Sequence, residues 1–281
     1  MQTHFWLEHR TEGRNPDLPD DRVYVRQYGS GAAVLLALHG FGRSGGRMER
    51  LGRHLGDQFT TLAPDLPYHG ETEWYGSRYT SDELTSVLQQ LLDRYADRPV
   101  FLLGHSLGGR YLSACLAGLR HPDLRDLALV APDGAGGRYT NWIDTLPRAM
   151  VRPLAKLTER PRTILRASKW LTQRGILNTY SAEYLKYHLN DRSFRRRLAG
   201  TLRSVLAFPP RPAAFESALQ QHEMHCSVFV GDKDPLLHHG RLTEVYEPLP
   251  SVDLVRYSGS HWLPERLLAR YYRKNLVTAL P

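Results

Sequence analysis

Residues 104 to 108 read Gly104-His105-Ser106-Leu107-Gly108. They lie directly after the apolar run Pro99-Val100-Phe101-Leu102-Leu103 and directly before a stretch from Arg110 to Leu119 with apolar residues at helical spacing. An extended run, a glycine-flanked turn and a helix in succession raise one serine on a sharp strand-to-helix turn, the G-x-S-x-G pattern. The glycines have a steric cause: so tight a turn presses its own backbone against the neighbouring strand and helix, where only a residue without Cβ fits. A bare five-residue pattern recurs by chance as an ordinary turn serine. The context on both sides makes Ser106 a candidate nucleophile.

Working outward, short β-type runs alternate with helical patterns. Runs at 23–28, 34–38, 60–63, 100–103 and 127–130 read as strands, and 44–55 and 81–95 as helices, with Ser81-Asp82-Glu83-Leu84 opening the second on an N-cap. Near-continuous apolar strands predict a parallel sheet covered on both faces. After Val130 the rhythm breaks into Arg-rich helical stretches interrupted by Pro147, Pro153, Pro161, Pro209, Pro210 and Pro212. Strand rhythm returns at 227–230 and 252–257, each followed by a helix pattern. The expectation is an α/β fold: a mostly parallel, doubly wound sheet from residues 1–132 and 223–281, with a helical cap inserted at 133–222. Such an insertion belongs near the C-terminal strand edge, where open parallel sheets bind ligands.

Composition narrows the function classes. The 281 residues suffice for one large core, and nothing indicates disorder or a repeat array. Residues 1–14 lack the apolar stretch of a secretory signal, and no window of 18 apolar residues occurs, so a soluble, cytoplasmic protein is expected. Cys115 and Cys226 sit in apolar segments and read as buried thiols. No CxxC, HExxH or phosphate-binding loop is present, so no metal or organic cofactor is expected. The net charge of +8 is concentrated: between Arg138 and His222 stand 16 Lys plus Arg against 5 Asp plus Glu, leaving −3 for the remainder. A solvated helical surface explains this most simply. Arg195-Arg196-Arg197 is the only tight cluster, and without the signatures of a nucleic-acid reader no nucleic-acid partner is expected. Transient contact with an anionic membrane through the basic segment stays open. The oligomeric state is not legible.

A serine hydroxyl needs a base within reach and a third group to orient that base. Gly231-Asp232-Lys233-Asp234-Pro235 and Ser258-Gly259-Ser260-His261-Trp262 each follow a predicted strand, so their side chains can converge with Ser106 at one sheet edge. In this Ser, Asp, His order the chain, over about residues 20–280, resembles the α/β-hydrolase superfamily, in particular its cap-bearing serine esterases, lipases and C–C hydrolases. The matching pieces are His39-Gly40-Phe41-Gly42, Pro64-Asp65-Leu66-Pro67-Tyr68-His69-Gly70, the turn at Ser106, Gly231-x-x-Asp234 and Gly259-Ser260-His261.

The resemblance implies Ser106 as nucleophile, His261 as base and then acid, and Asp234 as the carboxylate holding the imidazole. Asp232 is read as a cap or ion-pair partner, and Asp133 is the alternative acid. The backbone amides of Leu107 and Phe41 are the implied oxyanion hole, and His39 and His105 are given packing and turn-shaping roles. A small acyl substrate is expected, with Tyr139, Trp142, Ile143, Leu146, Trp170, Leu171, Tyr180, Tyr184 and Tyr187 as candidate pocket walls. Ester hydrolysis is the leading reading. A C–C bond or thioester hydrolase on the same triad, or a non-catalytic binding protein, stands as the alternative.

Overall fold

The central apolar runs fold as strands buried on both faces. A computed structural model describes residues 2–10, 17–134, 147–158, 160–177, 179–262 and 264–279. The strands are β1 (Gln2–His9), β2 (Asp21–Tyr28), β3 (Ala33–Leu38), β4 (Phe59–Pro64), β5 (Val100–His105), β6 (Leu124–Val130), β7 (His225–Gly231) and β8 (Val252–Tyr257). They form one sheet in the order β1-β2-β4-β3-β5-β6-β7-β8. β1 and β2 pair antiparallel, as do β2 and β4; every other pairing is parallel. Every residue of β3, β4 and β5 is buried, as expected of strands sandwiched between helices.

Helices α1 (Glu49–Leu55), α2 (Ser81–Asp93), α3 (Leu107–Cys115), α9 (His239–Tyr246) and α10 (Glu265–Ala279) accompany the sheet. α3 turns Leu107, Tyr111, Leu112 and Cys115 into the core. From α10, Tyr272 is fully buried and its hydroxyl donates to the Leu102 carbonyl at 2.9 Å, fastening the helix to the central strand. Cys115 and Cys226 are buried free thiols, and burial pushes the Cys115 thiol up to about 12.

Between β6 and β7 the described residues form α4 (Arg148–Leu157), α5 (Pro161–Gln173), α6 (Thr179–His188), α7 (Arg192–Ser204) and α8 (Pro212–Gln221). α7 joins this segment to the loop between β4 and α2. Ser204 Oγ accepts from the Tyr79 amide at 3.0 Å, and Arg196 donates to the Trp74 carbonyl at 3.2 Å. From α3, the buried Arg110 guanidinium donates to the carbonyls of Phe208 and Val205 just beyond α7.

Three local expectations need correction. The N-terminal residues, given no strand from sequence, form β1. It is an edge strand with Leu7 and His9 buried and Glu8 exposed, so alternation shows only at its end. The N-cap of α2 is Thr80, not Ser81: its side chain accepts from the Glu83 amide while Glu83 reaches back to the Thr80 amide, a capping box. Among the prolines, Pro153 does not break a helix but lies inside α4, whereas Pro161 and Pro212 start theirs, where a missing amide costs nothing. Among the described residues, no helix is long and apolar enough to cross a membrane.

Candidate active site

β5 ends at His105, and the next residue reverses the chain. Ser106 has φ 51° and ψ −115°, left-handed territory that costs a residue with a Cβ on the order of 1–3 kcal/mol. The flanking glycines make the turn fit. A Cβ on Gly104 would lie 2.5 Å from the Gly109 Cα in α3, and one on Gly108 would lie 2.5 Å from the Leu38 carbonyl oxygen at the end of β3. The Ser106 amide donates to the Val130 carbonyl at 2.9 Å, and the Asp133 amide donates to the Ser106 carbonyl at 3.1 Å. Both contacts lock the turn to the end of β6.

Two loops from β7 and β8 meet beside it. After β7, the Asp234 amide turns back onto the Gly231 carbonyl, and its buried carboxylate accepts from the Leu236 amide at 2.9 Å through Oδ1. Oδ2 lies 2.6 Å from His261 Nδ1. His261 is a quarter exposed at its side chain while Asp234 is sealed, so solvent reaches the imidazole and not the acid. Asp232 serves otherwise: its Oδ1 accepts from the Gly259 amide at 2.9 Å, and the Lys233 amide donates to the Gly259 carbonyl at 2.9 Å. These bonds clamp one loop to the other and thereby set the approach of His261 to Asp234. Asp133 is half-buried, and the carboxylate on His261 Nδ1 is Asp234.

His105 holds the same loop from the other side. Its Nε2–H donates to the His261 carbonyl oxygen at 3.0 Å, and its ring meets those of Trp262 and His261 edge-on at 4.5 and 5.1 Å. Burial, with the neighbouring His261 ring, depresses His105 to about 3, so the ring is neutral and free to donate from one nitrogen. Arg47 stacks over Trp262 at 4.2 Å and pairs with Glu265 at 2.8 Å, fixing the far end of the loop. These contacts span more than 150 positions of sequence and left no local signal. Asp65 did leave one, a carboxylate directly after a buried strand. It is fully buried, accepts from the amides of Gly45 and Glu71, and pairs with Arg26, knitting together the loops behind the site.

His39 braces the loop after β3. Its Nδ1–H donates to the Gly40 carbonyl at 2.8 Å, and its Nε2 accepts from the Leu66 amide at 3.0 Å. This loop passes close to the turn, since a Cβ on Gly40 would lie 3.1 Å from Ser106 Cβ. Burial lowers His39 to about 4, and burial followed by the nearby His39 lowers His69 to about 3.

A stability prediction follows from these rings. His39, His69 and His105 stay neutral in the fold while their unfolded counterparts titrate near 6.5. The unfolded chain therefore takes up protons first, and stability present above pH 6.5 is lost as the pH falls toward 4. Asp126 works in reverse: burial raises it to about 6, so it contributes stability in acid that fades as the pH rises through 6. Three histidines outweigh one acid, and the net loss expected between pH 6.5 and 5.5 is about 2 kcal/mol. Denaturant titrations at the two pH values measure it; equal stabilities would mean that the rings titrate normally in the fold.

On the side of the helical segment, Phe41 meets His69 and Phe194 edge-on at 5.6 and 5.9 Å, and Phe194 in turn meets Tyr184 and His188. A Cβ on Gly42 would come within 2.7 Å of Tyr184 Oη, so Tyr184 lies beside the loop as a pocket wall would. Trp170 and Tyr187 do not: they are 48% and 81% exposed. Leu171 is half-buried. Tyr139, Trp142, Ile143, Leu146 and the side chain of Tyr180 lie outside the described residues. Among the described residues, no group of three or more His, Cys, Asp or Glu side chains is arranged to hold a metal ion.

A model described as the alpha/beta hydrolase family matches residues 34–273. The chain is 36% identical to lipase LipV of Mycobacterium tuberculosis over 127 residues, 44% of this chain and 48% of that protein. It is 33% identical to a pimeloyl-[acyl-carrier protein] methyl ester esterase of Chromobacterium violaceum over 135 residues, 48% of this chain and 50% of that protein. The chain thus spans about half the length of these curated relatives. Among solved structures, a thermophilic esterase from Thermogutta terrifontis superposes with a TM-score of 0.66 at 18% identity, covering 98% of this chain and 99% of the other.

Proposed function

Since the chain belongs to the α/β-hydrolase family, we propose that it hydrolyses carboxylic esters through an acyl-enzyme on Ser106. The observation that carries this reading is the 2.6 Å contact between Asp234 and His261 Nδ1. It lies on a loop tied by its own carbonyl to His105, the residue adjoining the serine on the strained turn. Likeness to a lipase and a methyl ester esterase supports an ester over a thioester or a C–C bond.

In this reading Asp234 keeps the proton of His261 on Nδ1, leaving Nε2 as the base. Nε2 takes the Ser106 hydroxyl proton while Oγ attacks the ester carbonyl. Charge develops on the carbonyl oxygen and is met by two backbone amides. Leu107, the first residue of α3, has an amide with no acceptor inside its own helix and sits at the positive end of the dipole. Phe41 offers the second, from the loop that passes Ser106. His261 then hands its proton to the departing alkoxide, and water, activated by the same ring, releases the acid. These steps draw on no cofactor. Residues 133–222 serve as a cap, with Tyr184 and Phe194 beside the acyl chain.

The reading is tested with a fluorophosphonate probe, which should label one residue, Ser106, and block turnover of p-nitrophenyl acetate and butyrate in proportion to labelling. Absence of labelling alongside full ester turnover would remove Ser106 from the chemistry. Matched acyl thioesters and a vinylogous C–C substrate, run beside the esters, should be cleaved more slowly.

A further inference from the structure

The outer face of α5 is built from cations and exposed apolar side chains. Arg162, Arg166, Lys169, Trp170 and Arg174 are all exposed and fall on one side of the helix at spacings of three or four. From Pro161 to Leu177 the chain carries four Lys plus Arg and no acidic residue. Among the described residues, none of these four cations pairs with a carboxylate; Arg174 instead lies over the Trp170 ring at 4.1 Å. Trp170 is 48% exposed, and Ile176, in the turn just beyond the helix, is 61% exposed. Ordinary surfaces disperse such residues or balance them with acids.

A solvated helix does not need an outward tryptophan and isoleucine among unneutralised cations. An interfacial helix does: the cations meet anionic head groups, and the apolar side chains between them enter the boundary of the acyl region. The inner face of α5 is committed to the fold, with Ser168 buried and Ile164, Leu165 and Leu171 half-buried, leaving the outer face for a partner. α5 packs on α6, and α6 carries the Tyr184 that touches the Gly42 loop, so a surface on α5 lies outside the site without blocking it. We propose that this face docks the protein on an anionic phospholipid bilayer. The docking goes beyond the hydrolytic reading and does not depend on it.

Flotation with vesicles of phosphatidylcholine and phosphatidylserine at 7:3 tests it, using the full chain carrying Ser106→Ala so that no hydrolysis alters the lipid. Binding is expected at 100 mM NaCl, weak at 500 mM, and absent from pure phosphatidylcholine. The double variant Arg166→Gln/Lys169→Gln should bind about 25-fold more weakly, about fivefold per charge removed. Trp170→Ala should also weaken binding, and tryptophan emission should shift to the blue on vesicles in Ser106→Ala but not in Ser106→Ala/Trp170→Phe. Because these side chains are exposed, thermal stability should be unaltered, and in the Ser106 background turnover of a soluble ester should be too. Equal vesicle binding by the double variant would overturn the proposal. So would binding to soluble polyglutamate as tight as to vesicles with no effect of Trp170→Ala, which would mark the face as a site for an acidic protein.

Discussion

Ser106→Ala is expected to lower kcat for p-nitrophenyl esters by about 10⁵-fold or more while leaving the fold and its thermal midpoint nearly unchanged. In the proposed mechanism nucleophile and base act as a unit, so losing the oxygen would forfeit the covalent route entirely, leaving only binding and the proposed pair of amides to help water. The hydroxyl is not what holds the turn. Its tightness comes from Gly104 and Gly108 and from the bonds of the Ser106 amide and carbonyl to Val130 and Asp133, all of which alanine keeps. Alanine also keeps the Cβ, and with it the strain at φ 51°. Ser106→Gly should separate the two effects: equally inactive, but more stable by about 1 kcal/mol, because glycine relieves a penalty larger than the chain entropy it adds. Ester turnover with calorimetry on both variants measures this. An alanine variant retaining more than a hundredth of wild-type turnover would refute the assignment of Ser106.

Asp234→Asn is expected to lower kcat by about 10⁴-fold with little change in KM. The reason lies in what each oxygen now does. Oδ1 accepts from the Leu236 amide, so an asparagine must keep its carbonyl there and turn its NH2 toward His261 Nδ1. An NH2 can only donate, which leaves Nδ1 unprotonated and moves the proton to Nε2, the atom that in the proposed mechanism receives the proton from Ser106. The folded structure survives while the base is lost. Asp133→Asn provides the contrast, with a loss of less than about tenfold expected, because Asp133 is tied to the Ser106 turn through its backbone amide and not to His261 Nδ1 through its carboxylate. The opposite ranking would transfer the orienting role to Asp133.

Much of the fold was legible because burial on both faces leaves a strong mark. Strand β3 consists wholly of Ala, Val and Leu, and β5 and β6 carry the apolar runs Val100–Leu103 and Leu127–Val130, short enough and flanked closely enough by turn residues to read as strands of a covered sheet. β1 was missed because an edge strand with one face in solvent needs few apolar residues. Thr80 was missed as the cap of α2 although Thr80 and Glu83 spell out the capping pair; Ser81, one residue later, is an equally good local candidate. Residue type alone makes Trp170 and Tyr187 candidate walls, but type does not tell which face of a helix meets the core, and both lie exposed.

The sequence by itself determined the succession of strands and helices from β2 onward, the elbow at Ser106 and the short list of acids and bases. Each of these depends on neighbours within a few positions: an apolar period, a glycine without Cβ, a residue just past a strand. Only the tertiary structure decided that Asp234 and not Asp133 lies on His261 Nδ1, that Asp232 clamps the loop, that His105 grips the carbonyl of His261, and that the cations of α5 face outward. Those outcomes hinge on hydrogen bonds a few ångströms long between residues as much as 156 positions apart. Parallel pairing of β5, β6, β7 and β8 is what brings their ends together.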